Sequence, residues 1–208
     1  MTFHVGSQCT DVRAWARAIE RVGPLFEERV RQGFPLRLLD IGGGFPARYT
    51  PQVPSIGAIA DATLEAIDQL PHQPAQVVAE PGRSLVAQAG VVASGVIGRE
   101  VRNGRPWVYL DVGGYNGLIE SAQTGGGWPF PVLGVSGRTG KLLPATPAIS
   151  STVTGPTCDS SDTVLADALL PACLDVGDRI YLGATGAYTN CYASSFNGFE
   201  PPTPIVVR

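Results

Sequence analysis

Two short apolar runs separated by a helical pattern constrain the fold of this chain more than any other feature. Residues 36–41 and 76–80 each predict a buried strand, and Ser55 can cap a helix between them. Strand, helix and strand with short connections require parallel pairing, so we expect an α/β layer. The inner face of the intervening helix is predicted to consist of Ile56, Ile59, Ala60, Thr63, Ile67 and Leu70.

A second helical pattern precedes the first strand. Apolar residues recur at helical spacing from Asp11 onward, and Thr10 can cap this helix through its hydroxyl. Pro24 is expected to interrupt or restart the helix, and Gly33 to end its second stretch. The predicted inner face contains Val12, Trp15, Ala16, Ile19 and Val22.

The pattern changes near residue 88. Short β-type runs at 91–97, 107–112, 152–154 and 178–182 are separated by turn residues, which predicts an antiparallel β-barrel or β-sandwich domain. Residues 123–147 are rich in Gly and Pro and are expected to form a long loop. We therefore divide the chain into an α/β domain, residues 1–88, and a β domain, residues 89–208.

Charge and cysteine content exclude several classes of protein. Among 208 residues, 15 basic and 18 acidic side chains give a net charge of −3, which argues against a nucleic-acid partner. No apolar run reaches membrane-spanning length, and charged residues interrupt the first 20 positions, so we expect a cytoplasmic protein without membrane association. Four cysteines in no C-x-x-C pair and two histidines predict reduced thiols and no metal site.

Three features at predicted strand ends could carry chemistry. Gly42, Gly43 and Gly44 follow the first strand, where they could cradle a phosphate or simply form a turn. Glu80 ends the second strand, at the edge where parallel sheets bind ligands, and is either catalytic or a partner of Arg83. His4 lies near another predicted strand end and could contact a ligand. A structural role is the commoner one for an isolated histidine.

Two later segments leave similar alternatives open. Residues 155–159 place the thiol of Cys158 beside the carboxylate of Asp159, which favours either an inert cysteine or a reactive one. Residues 183–188 place small residues before Tyr188, which fits a packed helix start or a phosphate contact equally well.

The order of these motifs is more specific than any one of them. The chain resembles the ornithine/diaminopimelate decarboxylase family, the fold-type III pyridoxal-phosphate-dependent decarboxylases, from Phe3 to about Phe199. The segment 186–199 is more similar to the ornithine branch than to the diaminopimelate branch. The motifs that carry the resemblance are residues 3–8, 39–46, 80–83, 155–159, 186–189 and 196–199.

The resemblance implies the fold and the cofactor. It predicts the C-terminal part of a (β/α)8 barrel that binds pyridoxal 5′-phosphate, followed by the β domain. His4 would stack on the pyridine ring, and Glu80 would pair with the pyridine nitrogen so that the ring can accept electrons. The implied contacts with the phosphate or its surroundings are Ser7, Gly42, Gly43, Gly44, Gly82, Arg83 and Tyr188.

The resemblance also implies a homodimer with shared active sites. Cys158 and Asp159 would cross the interface, where Cys158 helps to return a proton to the substrate and Asp159 meets its distal ammonium. Asp111 or Glu120 would supply a further substrate-binding carboxylate. The implied reaction is decarboxylation of a basic amino acid, first of all ornithine to putrescine in polyamine biosynthesis. The alternative substrates are lysine and diaminopimelate. The alternative function is that of a non-catalytic homologue that binds partners through the dimer surface.

The lysine content conflicts with independent catalysis. The sequence has 14 arginines and one lysine, Lys141, in a predicted loop. The resemblance places the cofactor-binding lysine in a barrel strand before the His4 motif, and a complete barrel takes about 250 residues. We therefore expect a C-terminal fragment whose N-terminal half is a separate or missing part, inactive and self-associating when isolated.

Overall fold

The computed structural model describes residues 1–34 and 36–207. The described chain divides into two compact units, residues 1–87 and residues 88–207, which we call the α/β unit and the β unit.

The α/β unit is built around a parallel pair of strands, as the sequence predicts. Strand β1 pairs in parallel with β2, with Leu39 opposite Val77. On the other edge of β1, Thr2 forms a parallel bridge with Asp40, so the first residues of the chain run alongside β1. The elements of this unit are α1 (Ala14–Arg31), β1 (Leu38–Asp40), α2 (Ile56–Asp68), β2 (Gln76–Val78) and α3 (Arg83–Val86).

One apolar core joins both long helices to β1. Trp15 of α1 is fully buried and stacks on Phe45, with ring centroids 4.7 Å apart. Full burial of a large apolar side chain contributes about 1.5–3 kcal/mol. Phe45 directly follows the glycine loop, so this core also fixes where that loop ends. The core cluster consists of Trp15, Ile19, Leu39, Ile41, Phe45, Ile59 and Ile67.

Helix α1 differs from the prediction at both its start and its middle. Arg13 is the N-cap residue without a side-chain cap, so the expected Thr10 cap is wrong. Pro24 lies inside a continuous helix, because Ile19 and Phe26 on either side of it are buried in the core. The Ser55 cap of α2 is confirmed, since its Oγ accepts a hydrogen bond from the Ala58 amide at 3.2 Å.

Helix α2 presents a narrower inner face than the sequence predicts. Ile59, Thr63 and Ile67 are buried as expected, whereas Ile56 is 61% exposed in the first turn. Ile56 is exposed because only the later turns of α2 pack against the core.

The β unit contains a six-stranded sheet in the order β5-β8-β3-β4-β6-β7. All neighbouring pairs are antiparallel except β4 and β6, which are parallel, so a purely antiparallel domain is the wrong prediction. The elements are β3 (Val91–Arg102), β4 (Arg105–Leu110), α4 (Ile119–Gln123), β5 (Val132–Val135), β6 (Ala148–Thr154), β7 (Thr163–Pro171) and β8 (Arg179–Gly183).

Four of the six strands lie where the sequence places them, and two do not. Strand β5 lies inside the expected loop 123–147, and β7 was not predicted. β5 is short and surrounded by Gly and Pro, while β7 is rich in Ala and Leu and becomes extended through its pairing with β6. A (β/α)8 barrel is not shown by the described elements, and no described helix has the length and apolarity to cross a membrane.

Candidate active-site residues

Three adjacent parallel segments bring His4, the glycine loop and Glu80 to one edge of the α/β unit. The Phe3 amide donates to the Asp40 carbonyl oxygen at 3.2 Å. The Glu80 amide donates to the Gly42 carbonyl oxygen at 2.9 Å. The carboxyl ends of these segments therefore lie side by side, which is where parallel sheets bind ligands.

Steric contacts require glycine at positions 42 and 44. A Cβ atom on Gly42 would lie 2.0 Å from the Phe3 carbonyl oxygen, and one on Gly44 would lie 2.3 Å from the Gly6 carbonyl oxygen. Both residues also have positive φ angles, +65° and +94°. The loop is thus pressed against the first residues of the chain, and close packing alone accounts for these two glycines.

The amides of the glycine loop are not equivalent. The Gly42 amide donates to the Asp40 carboxylate at 2.9 Å. Within the described ranges, the amides of Gly43 and Gly44 make no hydrogen bond. Two amides are therefore available for an anion, whereas a contact by the Gly42 amide would require its bond to Asp40 to break.

The imidazole of His4 is held in one orientation by its own turn. Its Nδ1 accepts a hydrogen bond from the Gly6 amide at 2.9 Å. In a neutral ring this bond places the proton on Nε2. His4, Ser7, Glu80 and Gly82 are all exposed, so this edge is open to a ligand.

Arg83 is almost fully buried at the start of α3. It is 5% exposed, and its Nη1 donates to the hydroxyl of the equally buried Tyr49 at 2.9 Å. Tyr49 follows the glycine loop, so the bond connects that loop to Arg83. The sequence offered no signal for Tyr49, because the contact joins positions 34 residues apart.

The predicted site residues of the β unit lie in two different grooves. Asp111 and Tyr188 line an open groove of about 1030 Å³. Cys158 and Asp159 line another of about 680 Å³. The β unit therefore does not bring these two pairs together.

Asp111 is engaged in holding two strands together. Its Oδ1 accepts hydrogen bonds from Ser94 Oγ at 2.6 Å and from the Gly95 amide at 2.9 Å. These bonds join β3 to the end of β4, so one carboxylate oxygen has a structural role. Glu120, the alternative acid, is buried in α4 and 8% exposed.

A buried carboxylate missed by sequence reasoning organises the turn that carries Cys158 and Asp159. Asp162 is 2% exposed and accepts hydrogen bonds from the Gly114 amide at 2.7 Å and from the Thr157 amide at 3.0 Å. The Thr157 hydroxyl donates to it at 2.7 Å. The turn is thus fixed to the segment after β4, and such a contact across 48 positions leaves no local pattern.

Cys158 and Asp159 are exposed at the tip of this turn. The Ser161 side chain and amide donate to the Asp159 carboxylate, and together with Tyr115 they hold the pKa of Asp159 below its ordinary value of 3.8. Asp159 is therefore ionised at neutral pH. All four cysteines are free thiols.

Lys141 lies elsewhere in the β unit, in the exposed turn after β5. Its backbone carbonyl accepts a hydrogen bond from the Ser136 amide at 2.9 Å, beside a bridge between Val135 and Leu142. Neither groove described above is lined by this lysine.

Comparison with known proteins connects these features. Residues 1–87 match a family model described as the pyridoxal-binding domain of pyridoxal-dependent decarboxylases. Residues 1–87 therefore belong to the pyridoxal-binding domain family of these decarboxylases. This confirms the resemblance and the predicted cofactor of the family, pyridoxal phosphate.

Similar proteins extend the match beyond residue 87. Ornithine decarboxylase of Schizosaccharomyces pombe is 36% identical over 96% of this chain and 46% of its own length. The crystal structure of a Vibrio vulnificus lysine/ornithine decarboxylase superposes with a TM-score of 0.79 at 36% identity, over 96% and 52% of the two chains.

A more distant structure of the family is also similar. The crystal structure of diaminopimelate decarboxylase from M. jannaschi superposes with a TM-score of 0.78 at 25% identity, over 96% of this chain and 45% of its own. The chain spans about half the length of the curated relatives it matches.

The residues of the α/β unit fit pyridoxal phosphate. A Cβ atom on Gly43 would lie 2.9 Å from the Glu80 carbonyl oxygen and 3.1 Å from Nε2 of His4. A side chain at this position would therefore fill the space between the imidazole ring of His4 and the glycine loop. Two unbonded amides beside that space suit a phosphate, and the exposed Glu80 suits a protonated ring nitrogen.

Proposed function

We propose that this chain supplies cofactor-binding and substrate-recognition residues to a pyridoxal-phosphate-dependent decarboxylase of basic amino acids. Ornithine is the first candidate substrate, with putrescine as product in polyamine biosynthesis. The observation that carries the proposal is the convergence of His4, Gly43 and Glu80 at one edge of parallel segments. A cytoplasmic homodimer, a (β/α)8 barrel around the α/β unit and the domain boundary near residue 88 belong to the same proposal.

The residues of the α/β unit would divide the work of holding the cofactor. Bound pyridoxal phosphate supplies the conjugated ring that accepts the electrons left when carbon dioxide departs. Glu80 holds a proton on the ring nitrogen, and His4 supports the face of the ring. The proposed phosphate contacts are the amides of Gly43 and Gly44 and the side chain of Arg83, with Ser7, Gly42 and Gly82 as further contacts.

The exposed turn of the β unit would complete the site of a second subunit. Asp159 is ionised, and a carboxylate is the natural partner of a distal ammonium. Cys158 beside it can hold a proton for the substrate carbon. Because an ammonium is common to ornithine, lysine and diaminopimelate, Asp159 defines the substrate class, and Asp111 is the proposed second acid.

Carbon dioxide release from three substrates tests the function in the intact protein. We expect turnover of ornithine above lysine and diaminopimelate, a fall mainly in kcat for Glu80→Ala, and a rise mainly in KM for Asp159→Ala. Mixing the two variants should restore part of the activity if sites are shared between subunits. Absence of decarboxylation with all three substrates would refute the proposed function.

Lys141 favours a second candidate, a non-catalytic homologue that binds partners through the dimer surface. Lys141 is the one lysine of the sequence and lies in an exposed turn of the β unit. Borohydride reduction of the chain with pyridoxal phosphate, followed by peptide mass spectrometry, separates the two candidates. Saturable attachment at Lys141, at a cofactor concentration that leaves the N-terminal amine unmodified, would show that this lysine serves the cofactor.

A further inference from the structure

The carboxylate of Asp159 is held by a neighbour that no motif assigns. The Ser161 amide donates to Asp159 Oδ1 at 2.8 Å, and the Ser161 hydroxyl donates to the same oxygen. The Tyr115 hydroxyl lies 2.9 Å from Ser161 Oγ. A serine hydroxyl has one proton, so the bond to Asp159 leaves Ser161 as the acceptor and Tyr115 as the donor.

Tyr115 is in turn fixed by the segment that follows Tyr188. Its ring packs on Phe196 with centroids 4.5 Å apart, and its carbonyl oxygen accepts from the Ser194 amide at 2.9 Å. The same segment reaches the neighbouring thiol, since Asn197 Nδ2 lies 3.8 Å from Cys158 Sγ. One short segment therefore supports both proposed functional side chains.

The backbone of the turn is anchored independently of these side chains. The buried Asp162 fixes Thr157, and the Asp162 amide donates to the Asp159 carbonyl oxygen at 3.1 Å. Loss of a hydroxyl from Tyr115 or Ser161 would thus leave the course of the chain in place. Only the orientation of the Asp159 side chain depends on them.

We propose that Tyr115 and Ser161 are positioning residues for Asp159, with Tyr115 donating to Ser161 and Ser161 donating to the carboxylate that receives a substrate's distal ammonium. This inference rests on the proposed function of Asp159. Fixing the carboxylate before binding reduces the side-chain entropy that recognition of the ammonium would otherwise cost. The two hydroxyls therefore contribute to selection of basic substrates without contacting them.

Carbon-13 titration of the Asp159 carboxyl group tests the hydrogen-bonded chain without any cofactor. We expect Ser161→Ala to raise the pKa of Asp159 toward 3.8, Tyr115→Phe to raise it less, and Ser161→Thr to preserve it. Ser160→Ala, in the same exposed turn, is the matched control and should leave it unchanged. An unaltered pKa of Asp159 in Ser161→Ala would overturn the inference, whatever the activity of the protein.

Alkylation of Cys158, followed by mass spectrometry, separates orientation from collapse of the turn. Tyr115→Phe keeps the ring on Phe196, so the alkylation rate should stay within twofold of the wild-type rate. Tyr115→Ala removes the ring and should raise that rate. A large increase in Tyr115→Phe would show that Tyr115 holds the whole turn, which contradicts a specific positioning role.

Steady-state kinetics of the full decarboxylase distinguish the two proposals. We expect Ser161→Ala to raise KM for the basic substrate severalfold with little change in kcat, in the same direction as Asp159→Asn but to a smaller extent. If Asp159→Asn raises KM and Ser161→Ala does not, the positioning role is wrong. If neither changes KM although the pKa of Asp159 responds, the proposed function of Asp159 is wrong while the hydrogen-bonded chain stands.

Discussion

Nε2 of His4 lies 3.1 Å from the point where a Cβ atom of Gly43 would stand. The carbonyl oxygen of Glu80 lies 2.9 Å from the same point. Gly43 thus leaves a gap between two proposed cofactor contacts. Gly43 does not have a positive φ angle, so glycine is required here because a side chain would not fit.

Gly43→Ala should weaken cofactor binding more than it weakens the fold. The new methyl group must push His4 or the Glu80 backbone aside, and overpacking of this kind costs about 1–3 kcal/mol. We expect a loss of pyridoxal phosphate affinity by fluorescence titration, with a modest fall in the free energy of unfolding. Gly57→Ala is the control, because its Cβ atom would meet only Ser55 Oγ at 3.9 Å in α2. That variant should be stabilised by about 0.5–1 kcal/mol without a change in affinity.

Tyr49→Phe should lower phosphate affinity through Arg83. The change deletes the acceptor of a 2.9 Å bond from a nearly buried guanidinium, and such a loss costs about 1–3 kcal/mol. Denaturant unfolding and phosphate-dependent protection of the α/β unit from hydrogen exchange would measure both effects. Tyr192→Phe, at a tyrosine that is 58% exposed, should change the free energy of unfolding by less than about 0.5 kcal/mol. Equal effects of the two variants would argue against a specific role for Tyr49.

Asp162→Asn should destabilise the β unit. Asp162 accepts three hydrogen bonds in a buried site, and an amide nitrogen in place of one oxygen would face a donor. We expect a loss of about 2–4 kcal/mol, measured by denaturant unfolding. Asp167→Asn removes one partner of an ion pair with Arg105 whose aspartate is 74% exposed, and should cost at most about 1 kcal/mol. A small loss in Asp162→Asn would show that the turn does not depend on this carboxylate.

The hydrogen bond from the Tyr109 hydroxyl to Glu100 should stabilise the fold only within a defined pH range. The Tyr109 hydroxyl, and next to it Arg102, hold the pKa of Glu100 below 4.5. Burial, and next the Glu100 carboxylate, raise the pKa of Tyr109 above 10.0. Because the pKa of Glu100 is lowered by folding, its carboxylate stabilises the fold at pH values above 4.5. This stabilisation is lost as the pH falls through the pKa of Glu100 in the folded protein. Because the pKa of Tyr109 is raised by folding, its hydroxyl stabilises the fold at pH values below 10.0. This stabilisation is lost as the pH rises through the pKa of Tyr109 in the folded protein.

Tyr109→Phe tests this range. The difference in unfolding free energy between wild type and variant should be constant near neutral pH and shrink at both extremes. Carbon-13 titration should show the pKa of Glu100 moving up toward 4.5 in the variant. A difference that does not vary with pH would mean that packing of the ring, and not the hydrogen bond, accounts for it.

The sequence could predict the strand ends of the α/β unit because they are local. The apolar runs around Leu39 and Val77 alternate with a helix, and parallel pairing then aligns Gly42 and Glu80 without further information. The hydrogen bonds around Asp159 could not be predicted in the same way. Tyr115 and Ser161 are 46 positions apart, and their segments are brought together by the parallel pairing of β4 with β6 and by the bond from the Gly114 amide to Asp162. The same holds for β7, whose Ala and Leu residues favour a helix until β6 supplies a partner.

The parallel pair of β4 and β6 also affects how quickly the β unit can reach its folded state. Hairpins such as β3–β4 and β6–β7 close over short loops, but Val108 can meet Val153 only after the intervening chain has been arranged. Loop closure of this kind lowers the probability of contact and slows folding relative to sheets of local hairpins. Until that step is complete, β4 and β6 expose unpaired edges. During this interval on the folding pathway, the β unit is at its most vulnerable to aggregation and to proteases.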